Sequence, residues 1–340
     1  SQVGPRTPPL VEENEVLLRE SAGLPDDAGE QFKSEMNREV GKRLGQATGT
    51  EVDFERPDVL VLCNVERGDV DVQVNPAFVY GRYRKLVRDI PQTEWPCSDC
   101  GGTGKQLGDD GEEPCEGCDG TGYRYETSVE QEIAPHAVDA MDGEEGVFHG
   151  AGREDVDALM LGTGRPFVLE VKRPRSRTPD VAELQERIND ASDAVEVEGL
   201  RLATHEMVER VKELDGDKTY RATVAFDADV TRDELDAAVE ELVGATVEQR
   251  TPHRVSHRRA DKVRTRRVHG VEADYEDARH ATLTIDGEGG LYIKELVSGD
   301  EGRTDPSLAG LLGVDCEVSA LDVVTVEGSA EPFEDEAFFR

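Results

Sequence analysis

Residues 147–172 read VFHGAGREDVDALMLGTGRPFVLEVK, and the rest of the chain is organised around them. An apolar approach, Val147 and Phe148, runs into His149, Gly150, Ala151 and Gly152, where glycine permits backbone angles closed to other residues. A polar core follows at once: Arg153, Glu154, Asp155, Val156 and Asp157. A second glycine turn, Gly162 to Gly164, leads to Phe167, Val168, Leu169, Glu170 and Val171, a short apolar run that suits a buried strand. An arginine and several carboxylates are thus displayed on a glycine-flanked loop backed by a strand. A charge-rich surface hairpin has the same composition, and the residue types alone do not separate the two.

The segment Gly152-Arg153-Glu154-Asp155 resembles the Gly-Arg-x-Asp motif of pseudouridine synthases. The longer string GREDVDALMLGTGRPFVLEV is similar to one branch, the archaeal and eukaryotic tRNA pseudouridine synthases of the Pus-ten type. Residues 290–303 share the resemblance, and PPLVEENEVLLRE, FKSEMNREVGKRLG, EVDFERPDVLVL and VQVNPAFVYGRYRKL, within 1–88, resemble that family's RNA-binding region. The family usually carries a further cysteine-bearing segment upstream, and Ser1 in place of Met suggests a trimmed start.

The resemblance implies an α+β fold: a mixed β-sheet pseudouridine-synthase catalytic domain, preceded by a small THUMP-like RNA-binding domain and a zinc knuckle pair. The expected boundaries are 1–90 for the THUMP-like part, 91–125 for the zinc insert, 126–330 for the catalytic domain and 331–340 for an acidic tail. The implied reaction is isomerisation of uridine-55 in the tRNA T loop, with uridine-54 left open as a second target. It breaks the N1–C1′ bond, turns the base and rejoins it through C5. A flipped-out base needs an aromatic platform, and the chemistry needs one ionised carboxylate with a cation beside it, but no catalytic cofactor.

Carried over residue by residue, Asp155 matches the motif aspartate, acting as nucleophile or as the base that starts glycal formation. Asp157 is the rival carboxylate, outside the motif. Arg153 is expected to hold the flipped conformation. Tyr220, in KTYRATVAF, and Tyr292, in GLYIKELVSGD, match family tyrosines at the uridine pocket. Strand alternation would put Lys294 on the same face as Tyr292, as the cation facing Asp155. For each tyrosine, ordinary strand packing with the hydroxyl at the surface is the plainer alternative.

Cys97, Cys100, Cys115 and Cys118 form C-x2-C-x14-C-x2-C in two copies of one frame, CSDCGGTG and CEGCDGTG. Four thiolates suit a tetrahedral Zn²⁺ with no open position, hence a structural site, and the glycines let backbone amides turn toward sulfur. Cys63 and Cys316 sit among apolar residues and read as inert core thiols.

The chain has 340 residues and a formal charge of -36, spread through every segment, with Arg preferred to Lys. Uniform acidity of this kind fits a salt-adapted protein rather than a local partner-binding face, since salt screens charge beyond roughly 3 Å at 1 M. No apolar run approaches the ~20 residues that span a bilayer, and no signal-peptide pattern is present. A soluble, cytoplasmic protein with neither a membrane nor a DNA partner is expected.

Helices are expected at 10–20, where Leu10, Val11, Leu17 and Leu18 share a face, and at 32–44, 180–189, 204–214 and 231–243. The last opens with a capping box, Thr231 to Glu234. Strands are expected at 59–63, 70–74, 127–133, 166–171, 219–226, 245–249, 281–285, 290–294 and 322–326. On so acidic a background, basic clusters stand out: Arg82, Arg84, Lys85 and Arg88; Lys172, Arg173, Arg175 and Arg177; and the run 250–267. In the last, Arg254, Arg258, Arg259, Lys262, Arg264 and Arg266 are the candidate RNA contacts. Strand alternation would line up Lys262, Arg264 and Arg266 along a nucleic-acid backbone. Pairing with the abundant acids is the alternative for any single arginine.

Two other readings remain in view. Asp157, Glu170 and Lys172 also spell Asp-x12-Glu-x-Lys, the arrangement of a Mg²⁺-dependent nuclease. A catalytically silent, zinc-containing RNA-binding protein would have no special use for Asp155.

Overall fold

The computed structural model describes residues 1–25, 28–108, 111–214, 216–256, 260–326 and 334–340, and it separates into two compact units. The first comprises Ser1–Ala77, Met141–Glu145 and Val171–Arg177. Here β1 (Gln2–Arg6), α1 (Pro9–Ser21), α2 (Phe32–Thr48), β2 (Val59–Asn64) and β3 (Asp69–Val74) follow in order. The sheet order is β1-β2-β3, parallel for the first pair and antiparallel for the second, so both helices lie in the crossover between parallel strands. Pro9 starts α1, where a missing N–H costs nothing, and α2 runs past Gly45 to a left-handed cap at Gly49. Cys63 is buried as expected, but Leu10, Leu17 and Leu18 remain 63, 70 and 61% exposed in the order Leu10, Leu18, Leu17.

The second unit holds the rest of the chain and its large sheet. Its elements are β4 (Ala77–Lys85), the hairpin β5 (Lys105–Gly108) and β6 (Gly111–Pro114), α3 (Val129–Ala140), β7 (Glu145–Gly150), β8 (Leu159–Lys172), α4 (Val181–Ala191), β9 (Val195–Ala203) and α5 (Glu206–Lys212). There follow β10 (Lys218–Phe226), α6 (Arg232–Leu242), β11 (Thr246–Arg250), β12 (Val263–Asp277), β13 (His280–Gly287), α7 (Ile293–Ser298), β14 (Thr304–Asp305), α8 (Leu308–Leu312) and β15 (Cys316–Val326). The strand order is β14-β11-β12-β13-β10-β15-β8-β4-β9, with β7 on β8. Antiparallel pairs dominate, but β15 meets β8 in parallel at Asp322 with Leu159 and Val323 with Met160, so the sheet is mixed.

Period-two burial builds the core: Ala222, Val224 and Phe226 of β10 point inward with Leu283 and Ile285 of β13, against Leu235 and Leu242 of α6. The capping box of α6 forms as read, with Thr231 and Glu234 each accepting from the other's backbone N–H. Near the C-terminus, the Phe339 ring packs edge-on to Tyr80, 5.4 Å between centroids, while 331–333 of the expected acidic tail lie outside the described residues.

Three local expectations need correction. The expected strand at 127–133 is helix α3, whose buried Val129, Ile133, Ala134 and Ala137 follow a helical period. The expected strand at 290–294 gives way to α7, with Tyr292 at its N-cap and Ile293, Leu296 and Val297 inward. Lys294 therefore lies on a helix and does not share a strand face with Tyr292. The glycine turn at 162–164 is no turn: β8 continues through it, and glycine is required there because a Cβ at Gly162 would stand 2.1 Å from the Val324 carbonyl of β15. Moreover, Phe78–Lys85, grouped above with the N-terminal segment, is part of β4 and pairs with β9 in the large sheet.

Candidate active site

The loop joining β7 to β8 is held from beneath by buried polar side chains. Glu154 and Arg165 are an ion pair with 1 and 2% of their side chains exposed, Arg165 Nε donating to Glu154 Oε2 at 2.8 Å. Tyr83 Oη donates to the same carboxylate at 2.9 Å, and Gln92 Nε2 donates to Tyr83 Oη at 2.8 Å. Burial pushes the Tyr83 phenol well above its usual value, and the Glu154 charge adds to the shift. The loop's carbonyls are then taken one by one: Ala151 by Arg165 Nη1 at 2.8 Å, Gly152 by Gln92 at 2.9 Å, and Val156 and Asp155 by Lys85 Nζ at 3.0 and 3.3 Å. Lys85 is fully buried and also donates to the Ile90 carbonyl. Burial lowers its pKa, opposed by Glu154 and Asp157.

Above this floor the side chains turn into a cleft of about 1240 Å³. Asp155 keeps 41% of its side chain exposed and meets Arg254 Nη1 at 3.0 Å. Arg254 is itself fixed by Glu295, Nε to Oε1 at 2.7 Å, and that carboxylate is 5% exposed. Lys294 Nζ is 3.6 Å from Asp155 but 2.9 Å from Asp157, so the nearest cation to Asp155 is Arg254, and Lys294 chiefly serves its neighbour. Burial raises the Asp157 carboxyl, but the hydrogen bond and charge of Lys294 outweigh this and hold it below its ordinary value. Tyr220 and Tyr292 both line the cleft. Burial pushes the Tyr220 phenol up to about 12, Arg165 opposing and Asp155 adding, so it stays neutral at working pH. The buried Gln249 side chain accepts from the Tyr292 N–H at 2.8 Å and donates to its carbonyl at 2.9 Å, fixing that corner of the cleft.

The motif thus brings Asp155, Asp157, Tyr220, Tyr292, Lys294 and Arg254 to one cleft. Arg153 lies at its edge, its guanidinium 5.8 Å from the centre of the Trp95 ring. Arg264 and Arg266 share a half-buried face of β12, as alternation requires, yet each donates into the protein, to Thr251 Oγ1 at 3.2 Å and to the Gly289 carbonyl at 2.7 Å. Lys262 is exposed beside that strand, and Arg258 and Arg259 lie outside the described residues. The other basic clusters are also engaged: Arg84 with Glu196 and Glu198, Arg88 with Asp322, and Lys172, Arg173 and Arg175 with Glu145, Glu144 and Asp142. Sequence reasoning placed Arg254 among RNA contacts and missed Glu154, Arg165, Tyr83, Lys85 and Glu295. Only Glu154 and Arg165 carried a signal, being the remaining charges of the GRED and GTGRPF segments.

The carboxylates of the nuclease reading part company. Asp157 faces Lys294, whereas Glu170 takes His149 Nε2 at 3.0 Å. Among the described residues the one group of three or more potential metal ligands is Cys97, Cys100, Cys115 and Cys118. Their sulfurs lie within 4.8 Å of one another, with Cys97 and Cys115 4.0 Å apart and Cys100 and Cys118 3.8 Å apart. A tetrahedral ion with metal–sulfur bonds of ~2.3 Å requires sulfurs about 3.8 Å apart, so the set fits zinc. The halves share their amide–sulfur and cross-strand amide–carbonyl contacts. Gly104 N donates to Cys100 Sγ at 3.3 Å and Gly122 N to Cys118 Sγ at 3.2 Å; Cys115 N donates to the Gly104 carbonyl at 2.9 Å and Cys97 N to that of Gly122 at 2.8 Å. Burial works against ionisation of Cys100, but the Gly104 and Gly102 amides prevail and bring its thiol down to about 6.

A mixed sheet thus presents a glycine-flanked Arg-x-Asp loop to a tyrosine-lined cleft, and the relatives of this chain are pseudouridine synthases, which are isomerases. Comparison with known proteins gives the branch. Residues 78–327 match the family model described as "Pus10, C-terminal", and residues 1–64 match "Pus10 THUMP domain, archaeal". The chain is 66% identical over 339 residues to the tRNA pseudouridine synthase Pus10 of Halorubrum lacusprofundi, covering 99% of this chain and 78% of that protein. It is 48% identical to the protein of the same name from Methanothrix thermoacetophila, over 94% of this chain and 68% of the relative, and 46% identical to that of Archaeoglobus fulgidus, over 87 and 79%. The chain belongs to the Pus10 family. Its acidity fits a salt-adapted archaeal member, and no helix among the described residues is long and apolar enough to cross a membrane.

Proposed function

We propose that this protein converts uridine-55 of the tRNA T loop to pseudouridine in the cleft above the 151–158 loop, with Asp155 as the catalytic carboxylate. The observation that carries the reading is the treatment of Asp155: its backbone is pinned from below by Lys85, while its carboxylate stays open to the cleft beside Arg254. An ionised carboxylate is what the reaction needs, either to attack C1′ or to remove the 2′ proton and start glycal formation. Arg254 stands 3.0 Å from that carboxylate, and Glu295 keeps Arg254 in place. After N1–C1′ cleavage the base turns and C5 bonds to C1′; loss of the C5 proton completes the isomerisation, so atoms balance without a co-reactant. Tyr220, a neutral phenol in this pocket, and Tyr292 flank the uridine, and Arg153 holds the flipped state. Uridine-54 is the candidate second target.

We assign the four cysteines to structural Zn²⁺, which on binding neutralises thiolate charge and closes the two knuckles. Metal analysis should return one Zn²⁺ per chain, and none for Cys97→Ser with Cys115→Ser. Residues 1–77 are assigned to RNA binding, 91–125 to the zinc insert, and 78–90 with 126–326 to catalysis, with Lys262, Arg264 and Arg266 as candidate RNA contacts. A cytoplasmic location is part of this proposal, and a tRNA substrate supports it.

The test is the pseudouridine content of an unmodified tRNA transcript incubated in molar salt without added Mg²⁺. T-loop pseudouridine with wild type and none with Asp155→Ala is the expected result. Mg²⁺-dependent strand scission would favour the nuclease instead, and binding without modification by either protein would favour a silent binding module.

A further inference from the structure

Trp95 is the one tryptophan of the chain and lines the same cleft as Asp155. It stands at the neck of the cysteine module: its carbonyl accepts from Arg124 N at 2.9 Å, and Pro96 and Tyr123 form a bridge beside it. Tyr125 braces the indole edge-on at 5.5 Å. Arg153, from the motif loop, and Arg124, from the module, hold their guanidinium carbons 5.8 and 6.0 Å from the ring centre. Among the described residues neither arginine is in an ion pair, in a chain with 75 acidic residues. Two exposed arginines without acidic partners and a half-buried aromatic face are therefore available to a ligand in the cleft.

Three features point to an RNA base. The cleft, at about 1240 Å³, exceeds the ~300–1,000 Å³ of ordinary small-molecule pockets, so it has room beyond one nucleotide. An indole offers a sequence-tolerant stacking surface, and arginine complements both a base face and a phosphate. The guanidinium-to-ring spacing is looser than the ~3.5–4.0 Å of contact, and a base held between two such layers needs about 7–8 Å, so Arg153 has only to retreat by about 2 Å.

We propose that Trp95 is the platform of a second base subsite, on which an unpaired RNA base near the reacting uridine stacks, covered by Arg153 and with its phosphate met by Arg124. This deepens the RNA-modifying reading and rests on it. The cysteine module then has a task at the site: it holds the platform.

Because emission reports Trp95 alone, the test is a fluorescence titration of wild-type protein with a T-arm stem–loop transcript in molar KCl, with binding followed in parallel by filter retention. Stacking predicts quenching that tracks retention. Trp95→Leu should weaken binding and raise KM by about 10- to 100-fold, the range for one lost base–aromatic stack, with kcat little changed, while Trp95→Phe should recover most of the loss. Unchanged zinc content and melting temperature show that Trp95→Leu is folded. Emission that stays constant at saturation, or wild-type affinity in Trp95→Leu, overturns the subsite, as does a transcript that does not bind. Quenching without pseudouridine formation would leave the subsite standing and remove the proposed activity; pseudouridine formation without quenching would do the reverse.

Discussion

The floor of the cleft and its open face are built from neighbouring residues and obey opposite rules. Glu154 and Asp155 are adjacent carboxylates, yet one side chain is 1% exposed and the other 41%. On the floor, Glu154, Arg165, Tyr83 and Gln92 satisfy one another out of reach of water. Such a pair recovers its desolvation cost only through good geometry, so its use is to fix where the loop lies. On the open face, Asp155 meets Arg254 at 3.0 Å and Lys294 at 3.6 Å and stays open to the cleft. The lesson is that the motif supplies two carboxylates, and burial separates the one locked into the fold from the one open to the cleft.

The sharpest way to break this division is Asp155→Asn, which should lower pseudouridine formation by about 10⁴-fold, the upper end for a positioned acid–base group, with the unfolding midpoint nearly unchanged. Arg165→Met should do the reverse. It strands the buried Glu154 charge and should cost about 3–5 kcal/mol in chemical denaturation. If the two variants behave alike, the distinction between floor and face is wrong. Lys85→Met sits between them, since it deprives three carbonyls of their donor, at about 1–3 kcal/mol, and lets the Asp155 backbone drift, so kcat should fall more than KM rises. Its pH dependence has a definite sign: the folded-state pKa of Lys85 is lowered, so the unfolded chain binds more protons between that value and 10.5. Wild-type stability relative to Lys85→Met should therefore rise with pH across that window.

The smallest effect belongs to the open face. Lys294→Met should let the Asp157 carboxyl rise toward 3.8, read by NMR titration. Because the folded value is depressed, the stability from this pair is present above 3.8 and is lost as pH falls below it. For a partly exposed ion pair that is about 0–1 kcal/mol.

Much of this was legible before any coordinates. The cysteine frame, the Arg-x-Asp loop, the capping box at Thr231 and the alternation of β10 are local patterns, each written within a few residues of itself. Segments 127–133 and 290–294 misled because five to seven residues with two or three apolar side chains satisfy both periods, and packing chose the helix. The floor was out of reach for another reason. Tyr83 and Glu154 stand 71 positions apart, and only the order of β8 beside β4 in the sheet brings them together. Arg254 lay in a basic run that pointed to RNA, and nothing local showed that it would turn back to Asp155.

The near-repeat of the two cysteine knuckles has one more consequence. A half whose amides, carbonyls and sulfurs match those of its partner is self-complementary, so either eight-residue piece contains the whole plan of the module. Two copies of one piece supply both cysteine pairs of the four-thiol cluster. The differences that separate the copies fall inside them, at positions whose side chains are not sulfur ligands: Ser98 and Glu116, Asp99 and Gly117, Gly101 and Asp119.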